Sequence, residues 1–112
     1  MNLVCANDRG SKTIDISDVL YFESLGDDCF CVTPENRYKT KVKLYETEEF
    51  GQFGLVRINK SYVVNVFKVI TITPQLNSKI KLRMKNNDIV YVNRTYLKAF
   101  KHYLMKGDYN ND

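Results

Sequence analysis

The hydrophobic period of this chain changes every few residues, and that pattern limits the possible folds more than any other feature of the sequence. Residues 79–84 alternate strictly between basic and apolar side chains, as a half-buried β-strand does. Residues 19–22 form a continuous apolar run, and clusters of turn-forming residues at 74–78 and 86–88 interrupt the chain. Short strand-like segments between turns predict about seven or eight strands and a mainly β fold.

A predicted hairpin and the strand after it carry a distinct charge pattern. The turn at 25–28 separates the apolar run 19–22 from residues 29–33, as in a β-hairpin. In the next segment, 37–43, every second residue is basic, which places these cations on one face of a strand. Such a stripe suits a polyanion, but lysines also protect an edge strand from pairing with other chains. The cations of the stripe are Arg37, Lys39, Lys41 and Lys43.

Two segments have helical character instead. Residues 44–50 hold several glutamates among apolar side chains and precede Gly51, which predicts a short internal helix that ends at this glycine. Apolar residues then recur at helical spacing from Asn93, a good N-cap, to Lys106, and Gly107 follows as a stop. The apolar positions of this C-terminal helix are Tyr96, Leu97, Phe100, Tyr103 and Leu104.

The chain has the size and composition of one domain. Its 112 residues are 44% hydrophobic, which is enough for a core without disulfide or metal support. No apolar run approaches the roughly 18–20 residues of a membrane span, and residues 1–10 lack the apolar stretch of a signal peptide. We therefore expect a cytoplasmic domain at 12–106, an N-terminal segment at 1–11 and a flexible polar tail at 107–112.

The net charge of +4 conceals an uneven distribution along the chain. Residues 1–36 carry −5, residues 37–106 carry +11, and residues 107–112 carry −2. A segment at +11 is typical of proteins that bind a polyanion, most commonly nucleic acid. A lysine-rich surface that only maintains solubility would give the same charge. Charge alone leaves both interpretations open.

The cysteines and the other reactive side chains favour neither disulfides, nor metal binding, nor catalysis. The chain has three cysteines, and Cys29 and Cys31 lie two apart on a predicted strand, too extended for an easy bridge. Only His102 could join them as a soft metal ligand, and it completes no recognisable Ser/His or Cys/His arrangement. The carboxylates of Asp27 and Asp28 diverge from a tight turn, which is unsuited to paired acid–base work. We expect buried thiols, no metal, no cofactor, no small-molecule substrate and no enzymatic activity.

The order and spacing of several segments carry a more specific signal. Residues 19–24, a hairpin, residues 38–44 with the acidic helix, and the run 55–65 (LVRINKSYVVN) follow one another, and a block at 89–97 (IVYVNRTYL) closes the series. This order closely resembles the LytTR family of DNA-binding domains over residues 12–104. The sharpest part of the resemblance is the Phe/Leu-Val-Arg-x-x-Lys-Ser-Tyr-x-Val-Asn signature.

The resemblance implies a predominantly β fold, a stack of small antiparallel sheets with one short internal helix and a C-terminal helix. It also implies that loops, rather than a recognition helix, enter the major groove of double-stranded DNA. Members of the family are usually output domains of bacterial response regulators in two-component systems. They bind direct repeats in promoters, where a second copy can occupy the tandem site. The implied function is sequence-specific DNA binding that regulates transcription.

The family's contact positions carry over to three places in this sequence. The loop 59–61 matches one DNA-contacting loop, Arg94 matches a position that reads a base in the major groove, and the turn 27–29 matches a third contact. An arginine fork suits guanine O6 and N7, a contact that contributes about 1–3 kcal/mol to discrimination. The family often has histidine at position 59 and, in some members, a basic or histidine side chain at 29, so we expect a different target sequence. The candidate contact residues are Asn59, Lys60, Ser61, Arg94, Cys29 and Asp28.

Other polar residues divide between phosphate contact and structure. Arg57 lies within an apolar run, which predicts a structural pair with a carboxylate such as Glu23. Asn65 is expected to cap or turn the chain rather than to read DNA. Lys98 suits phosphate contact and simple solvation equally well. The lysines expected to hold the register on the DNA backbone are Lys39, Lys41, Lys98 and Lys101.

Two other functional classes remain open. A single-strand or RNA-binding β domain would stack bases on Tyr38, Phe30 and Tyr91 and would prefer single strands to duplex. A protein-interaction module would add a partner strand to an exposed sheet edge and would have no affinity for nucleic acid. A receiver domain would need about a hundred further residues, so either the signal reaches this domain by another route or the chain is a fragment.

Overall fold

The computed structural model contains ten strands, two α-helices and four short 3₁₀ segments, and it describes the backbone of residues 1–111 and the side chains of residues 1–104. The helices are α1, Leu44–Thr47, and α2, Arg94–Asn111. Among these residues no helix is long and apolar enough to cross a membrane. The strands are β1 (Asn2–Asn7), β2 (Gly10–Asp15), β3 (Tyr21–Leu25), β4 (Asp28–Val32), β5 (Arg37–Thr40), β6 (Leu55–Arg57), β7 (Tyr62–Asn65), β8 (Val69–Gln75), β9 (Lys79–Met84) and β10 (Ile89–Val92).

The strands form two antiparallel sheets. The larger sheet has seven strands in the order β2-β1-β5-β4-β3-β7-β6, and the smaller has three in the order β10-β9-β8. Together with the short internal helix and the C-terminal helix, they confirm the predicted mainly β fold. The predicted strands at 79–84 and 89–92 coincide with β9 and β10.

The larger sheet packs a hydrophobic core on each of its faces. Successive residues of a strand point to opposite faces, so Phe22 and Val63 enter the first core while Tyr21 and Val64 enter the second. This arrangement explains the continuous apolar runs of β3 and β7, because strands covered on both faces do not alternate. The second core also receives Ile80, Leu82 and Met84 from the smaller sheet and Phe100 from α2.

The internal helix does not end at the predicted glycine. A 3₁₀ segment, Glu48–Phe53, follows α1, and the chain leaves it at Gly54 with φ of 92°. A β-carbon at Gly54 would lie 2.7 Å from the Asn65 Oδ1, so both the left-handed backbone and the close approach require glycine. A β-carbon at Gly51 would meet nothing within 4 Å, and the predicted stop at Gly51 is wrong.

The C-terminal helix begins as predicted and continues further. Arg94 opens α2, and the carbonyl of Asn93 accepts a hydrogen bond from the Tyr96 amide at 2.9 Å. The helix passes through Gly107 to Asn111, which corrects the predicted stop. Glycine costs only about 1 kcal/mol inside a helix and does not end one by itself. Residue 112 of the predicted tail lies outside the described residues.

Three strand boundaries also differ from the prediction. The sequence predicts no strand in residues 1–11, but β1 lies there. This strand is buried only at Cys5 and therefore lacks a clear apolar pattern. The predicted break at 74–78 begins too early, because Pro74 lies inside β8, an edge strand that tolerates the missing amide donor. The basic strand 37–43 is shorter than predicted and ends at Thr40.

Candidate nucleic-acid interface

Three segments that are distant in the sequence meet at one end of the larger sheet. The Ser24 amide donates to the Ser61 carbonyl at 2.8 Å, which joins the hairpin to the β6–β7 loop. The Asn93 amide donates to the Ile58 carbonyl at 2.9 Å, which joins the same loop to the start of α2. We call residues 25–28, 58–61 and 91–94 the loop end. The structure thus brings together the three places that the sequence singles out.

The Asn59 amide holds the β6–β7 loop in shape. Its Oδ1 accepts a hydrogen bond from the Ser61 amide at 2.8 Å, as in an Asx-turn. Its Nδ2 donates to the Tyr91 carbonyl at 2.9 Å, which ties the loop to β10. Asn59 is therefore engaged at both ends of its side chain, whereas its neighbour Lys60 is exposed.

Arg57 supports the same loop from the inner side. Its Nε donates to the Asn59 carbonyl at 2.7 Å and an Nη donates to the Lys60 carbonyl at 2.6 Å. The other Nη pairs with Glu48 at 3.0 Å. The predicted carboxylate pair is confirmed, but the partner is Glu48 and not Glu23. We call Arg57, Glu48 and the two carbonyls the Arg57 cluster.

Arg94 and Lys98 extend along the exposed side of α2. Both side chains are exposed, and residues four apart lie on one face of a helix. Neither forms an ion pair with a carboxylate in the part of the chain whose side chains are described. Arg94 lies in the first turn, where the helix end carries a partial positive charge that favours an anion nearby.

The side chains that follow the hairpin turn point in two directions. Along β4 the side chains alternate, so Asp28 faces outwards and Cys29 faces the first core with 6% of its surface exposed. Burial raises the pKa of the Cys29 thiol. The Asp28 carboxylate pairs with Lys39 at 3.0 Å. Cys29 lines two surface grooves beside the turn although little of it is exposed, and its contact with DNA stays a prediction.

Two adjoining surface grooves lie beside the hairpin turn. The first runs between the turn and the β6–β7 loop and includes Lys60 and Lys43 in its lining. The second runs along the end of β5, and its lining includes Lys39, Lys41 and again Lys43. The grooves therefore connect lysines of the predicted basic stripe with the β6–β7 loop. Lys43 was not among the predicted contacts, although it belongs to the stripe.

A second polar cluster neutralises part of the basic stripe. Arg37 pairs with Glu23 at 2.6 Å, and the Tyr62 hydroxyl donates to the same carboxylate at 2.7 Å. The ring of Tyr62 lies 5.5 Å from that of Tyr21, whose hydroxyl donates to Asp88 of the smaller sheet's β9–β10 turn at 2.6 Å. Burial, followed by the bond to Glu23, raises the pKa of Tyr62 to about 12. We call these five residues the Glu23 cluster.

The three aromatic residues considered as stacking platforms do not form a common surface. Tyr38 is buried, with 2% of its surface exposed. The Arg37 guanidinium covers the Phe30 ring at 4.1 Å from its centroid. Tyr91 alone is well exposed, at 44%. The arrangement therefore does not favour stacking of successive bases on these residues.

Two structural predictions are confirmed. Cys5, Cys29 and Cys31 are free and buried. Asn65 caps the turn that follows β7, because its Oδ1 accepts from the Phe67 amide at 3.0 Å and its Nδ2 donates to the Val19 carbonyl at 3.0 Å. Among residues whose side chains are described, no three His, Cys, Asp or Glu groups lie in a metal-binding arrangement.

Comparison with known proteins agrees with this fold. The family model of the LytTr DNA-binding domain matches residues 9–105, and the chain belongs to this family. Two uncharacterized HTH-type transcriptional regulators of Staphylococcus aureus, from strains NCTC 8325 and COL, are 30% identical over 97 residues. The match covers 87% of this chain and 66% of the length of each relative.

A solved structure gives the same result. The LytTr DNA-binding domain assigned to a methyl-accepting/DNA response regulator from Bacillus cereus superposes with a TM-score of 0.86 at 25% sequence identity. The superposition covers 92% of this chain and 95% of that one. The predicted fold, including both helices, is thereby confirmed.

Proposed function

We propose that this domain binds double-stranded DNA in a sequence-specific manner through the loop end and regulates transcription, without enzymatic activity. The observation that carries the proposal is the joining of three separate loops by backbone hydrogen bonds, with Lys60 and Arg94 exposed on the joined surface. Membership of a DNA-binding family and the names of the regulator relatives support it.

Four polar residues of the loop end have a role in this proposal. Arg94 donates its fork to a guanine in the major groove, and Lys60 bonds a base edge or a phosphate. Ser61 fixes the loop through its backbone, and Asp28 lies at the border of the contact. The helices α1 and α2 are separated by five strands, which favours loops rather than a helix-turn-helix unit as the part that meets the groove. The phosphate contacts are Lys39, Lys41, Lys43, Lys98 and Lys101.

The target in this proposal is a promoter that carries direct repeats, with one copy of the domain on each repeat. The domain would serve as the output part of a bacterial response regulator. A labelled-duplex gel shift with sequences enriched from a random duplex pool tests the proposal. We expect salt-sensitive binding that prefers the enriched sequence, because phosphate neutralisation releases counterions. Equal affinity for a scrambled duplex would contradict sequence-specific recognition.

Replacing Arg94 tests the base-reading role. For Arg94→Ala we expect specific binding to weaken about tenfold or more and sequence preference to relax, because the bidentate contact is lost. Arg83→Ala is the matched control, since Arg83 lies in β9 opposite Ile89, at the far end of β10 from Arg94. The gel shift measures both variants, and an unchanged preference of Arg94→Ala would refute the role.

One observation favours a second candidate function. One edge strand of the smaller sheet is β8, and Ile70 and Ile72 on this strand are 48% and 45% exposed. Such an edge could accept a strand from a partner protein. A domain with no affinity for duplex DNA, together with a partner that protects β8 amides from hydrogen exchange, would favour this function over DNA binding.

A further inference from the structure

The guanidinium of Arg57 is the meeting point of three parts of the molecule. It donates to the backbone carbonyls of Asn59 and Lys60, at 2.7 Å and 2.6 Å, and it pairs with Glu48 from the 3₁₀ segment after α1. It also faces the ring of Tyr96, in the first turn of α2, at 5.9 Å from the centroid. The side chain is only 20% exposed, so its donors are directed inwards to these partners.

The carbonyls that Arg57 binds have no strand partner of their own. They belong to the short loop that connects β6 and β7, after the last paired residue of β6. A planar guanidinium can hold two such carbonyls at once, which a lysine ammonium cannot do with the same geometry. The Asn59 side chain also bonds the Ser61 amide and the Tyr91 carbonyl, so both Arg57 and Asn59 hold the backbone that carries Lys60.

The same contacts relate the loop to the start of α2. Tyr96 is two residues from Arg94, so the Arg57 guanidinium lies between the loop that carries Lys60 and the helix turn that carries Arg94. Recognition of a base sequence requires its contacting groups to be held within about half an ångström of their productive positions. An arginine that fixes both segments can meet this requirement without touching the ligand.

We infer that Arg57 is a positioning residue that sets the sequence preference of the domain by holding the 59–61 loop against α2. This inference rests on the proposed function. Arg57 acts through the loop backbone and does not itself contact DNA. Its loss therefore reduces the preference for the selected duplex and leaves the general attraction to phosphates in place.

Three substitutions separate the possible roles of Arg57. For Arg57→Ala we expect the preference for enriched over scrambled duplex to fall about tenfold, with affinity for scrambled duplex changed by less than about twofold. Arg57→Lys keeps the charge and can keep the pair with Glu48 but loses the fork, so we expect a fall of at least about threefold. Glu48→Gln leaves both carbonyl bonds in place and is the matched control, with preference kept within about twofold.

A double-mutant cycle with Lys60→Ala tests the route of the effect. If Arg57 acts by placing Lys60, then Arg57→Ala changes the preference by less than about threefold in the Lys60→Ala background. Full additivity of Arg57→Ala with Lys60→Ala, and likewise with Arg94→Ala, would overturn the inference, because Arg57 then acts through neither segment. Circular dichroism establishes that each variant is folded, and Arg57→Lys alone decides the question if Arg57→Ala does not fold.

The remaining outcomes distinguish failure of the proposed function from failure of this inference. A wild-type domain without any preference between duplexes would overturn the proposed function and this inference with it. A wild-type preference that Arg57→Lys retains in full would overturn the inference alone. An equal loss of affinity for enriched and scrambled duplexes would also overturn it, because a direct phosphate contact gives that result.

Discussion

The Arg57 cluster and the Glu23 cluster each contain an arginine–glutamate pair, but the two pairs have different structural roles. Arg37 and Glu23 meet at 2.6 Å, and the carboxylate also accepts from the Tyr62 hydroxyl. Arg57 and Glu48 meet at 3.0 Å, and the guanidinium also donates to two loop carbonyls. In the first cluster side chains bind side chains across strands, whereas in the second a side chain fixes backbone.

This difference shows that the further partners of an ion pair decide what the pair does. Exposed pairs contribute only about 0–1 kcal/mol to stability, and Arg37 is 42% exposed. The Glu23 cluster connects the larger sheet to the β9–β10 turn of the smaller sheet, because the hydroxyl of buried Tyr21 donates to Asp88. The Arg57 cluster fixes the shape of a surface loop. Loss of the first should lower stability, and loss of the second should lower sequence preference.

The largest expected effect is a loss of stability when Gly54, next to the Arg57 cluster, is replaced. Gly54 separates the 3₁₀ segment that carries Glu48 from β6, which carries Arg57. For Gly54→Ala we expect a loss of about 2–5 kcal/mol in the free energy of unfolding, because a positive φ and an overlap with Asn65 are both strained. Denaturant unfolding measures the loss.

Gly51→Ala is the matched control for that substitution. A β-carbon at Gly51 meets no atom within 4 Å, so we expect a change of less than about 1 kcal/mol. If Gly51→Ala destabilised the domain as much as Gly54→Ala, the assignment of the helix end to Gly54 would be incorrect.

A smaller effect is expected in the Glu23 cluster. Tyr21→Phe removes the hydroxyl that donates to Asp88 at 2.6 Å, so we expect a loss of about 1–3 kcal/mol in stability. The sequence preference of the folded variant should not change, because Tyr21 lies in the second core and not at the loop end. Tyr45→Phe, at a residue 68% exposed, is the control. A changed DNA preference in Tyr21→Phe would contradict the separation of the two clusters.

The smallest expected effect concerns the lysines around the loop end. For Lys98→Ala we expect binding to weaken by about two- to fivefold on every duplex and the salt slope to fall by about 1, as for a phosphate contact. Lys39→Ala should have a weaker effect, because Asp28 already neutralises Lys39 at 3.0 Å. Salt titration of the gel shift measures both slopes. An unchanged slope for Lys98→Ala would favour simple solvation of this residue.

The sequence predicts the structural features that depend on neighbouring residues, but it does not predict the features that depend on contacts with distant residues. The strict alternation of 79–84 predicts β9, and the motif order predicts the family, which is confirmed. The sequence does not predict the glycine at which the internal helical segment ends. Glycine is required at position 54 because Asn65, which is distant in the sequence, approaches it closely. The partner of Arg57 is likewise not predicted, because the Glu23 carboxylate binds Arg37 and Tyr62 instead.

The candidate site follows the same rule. The sequence singles out Lys60 and Arg94 by their place in a motif, and both are exposed; their contacts with DNA stay predictions. The hydrogen bond from Asn59 to the Tyr91 carbonyl could not be foreseen, because Tyr91 is 32 residues away in the sequence. The burial of Cys29 agrees with the expectation of buried thiols, and its contact with DNA stays a prediction.

The central claim is that the loop end is the face that meets DNA, and amide chemical shifts measured by NMR during titration with an enriched duplex test it most directly. We expect the largest shifts at the amides of Lys60, Ser61 and Arg94, with the amides of β8 unchanged. Large shifts confined to β8, with the loop end unperturbed, would contradict the account.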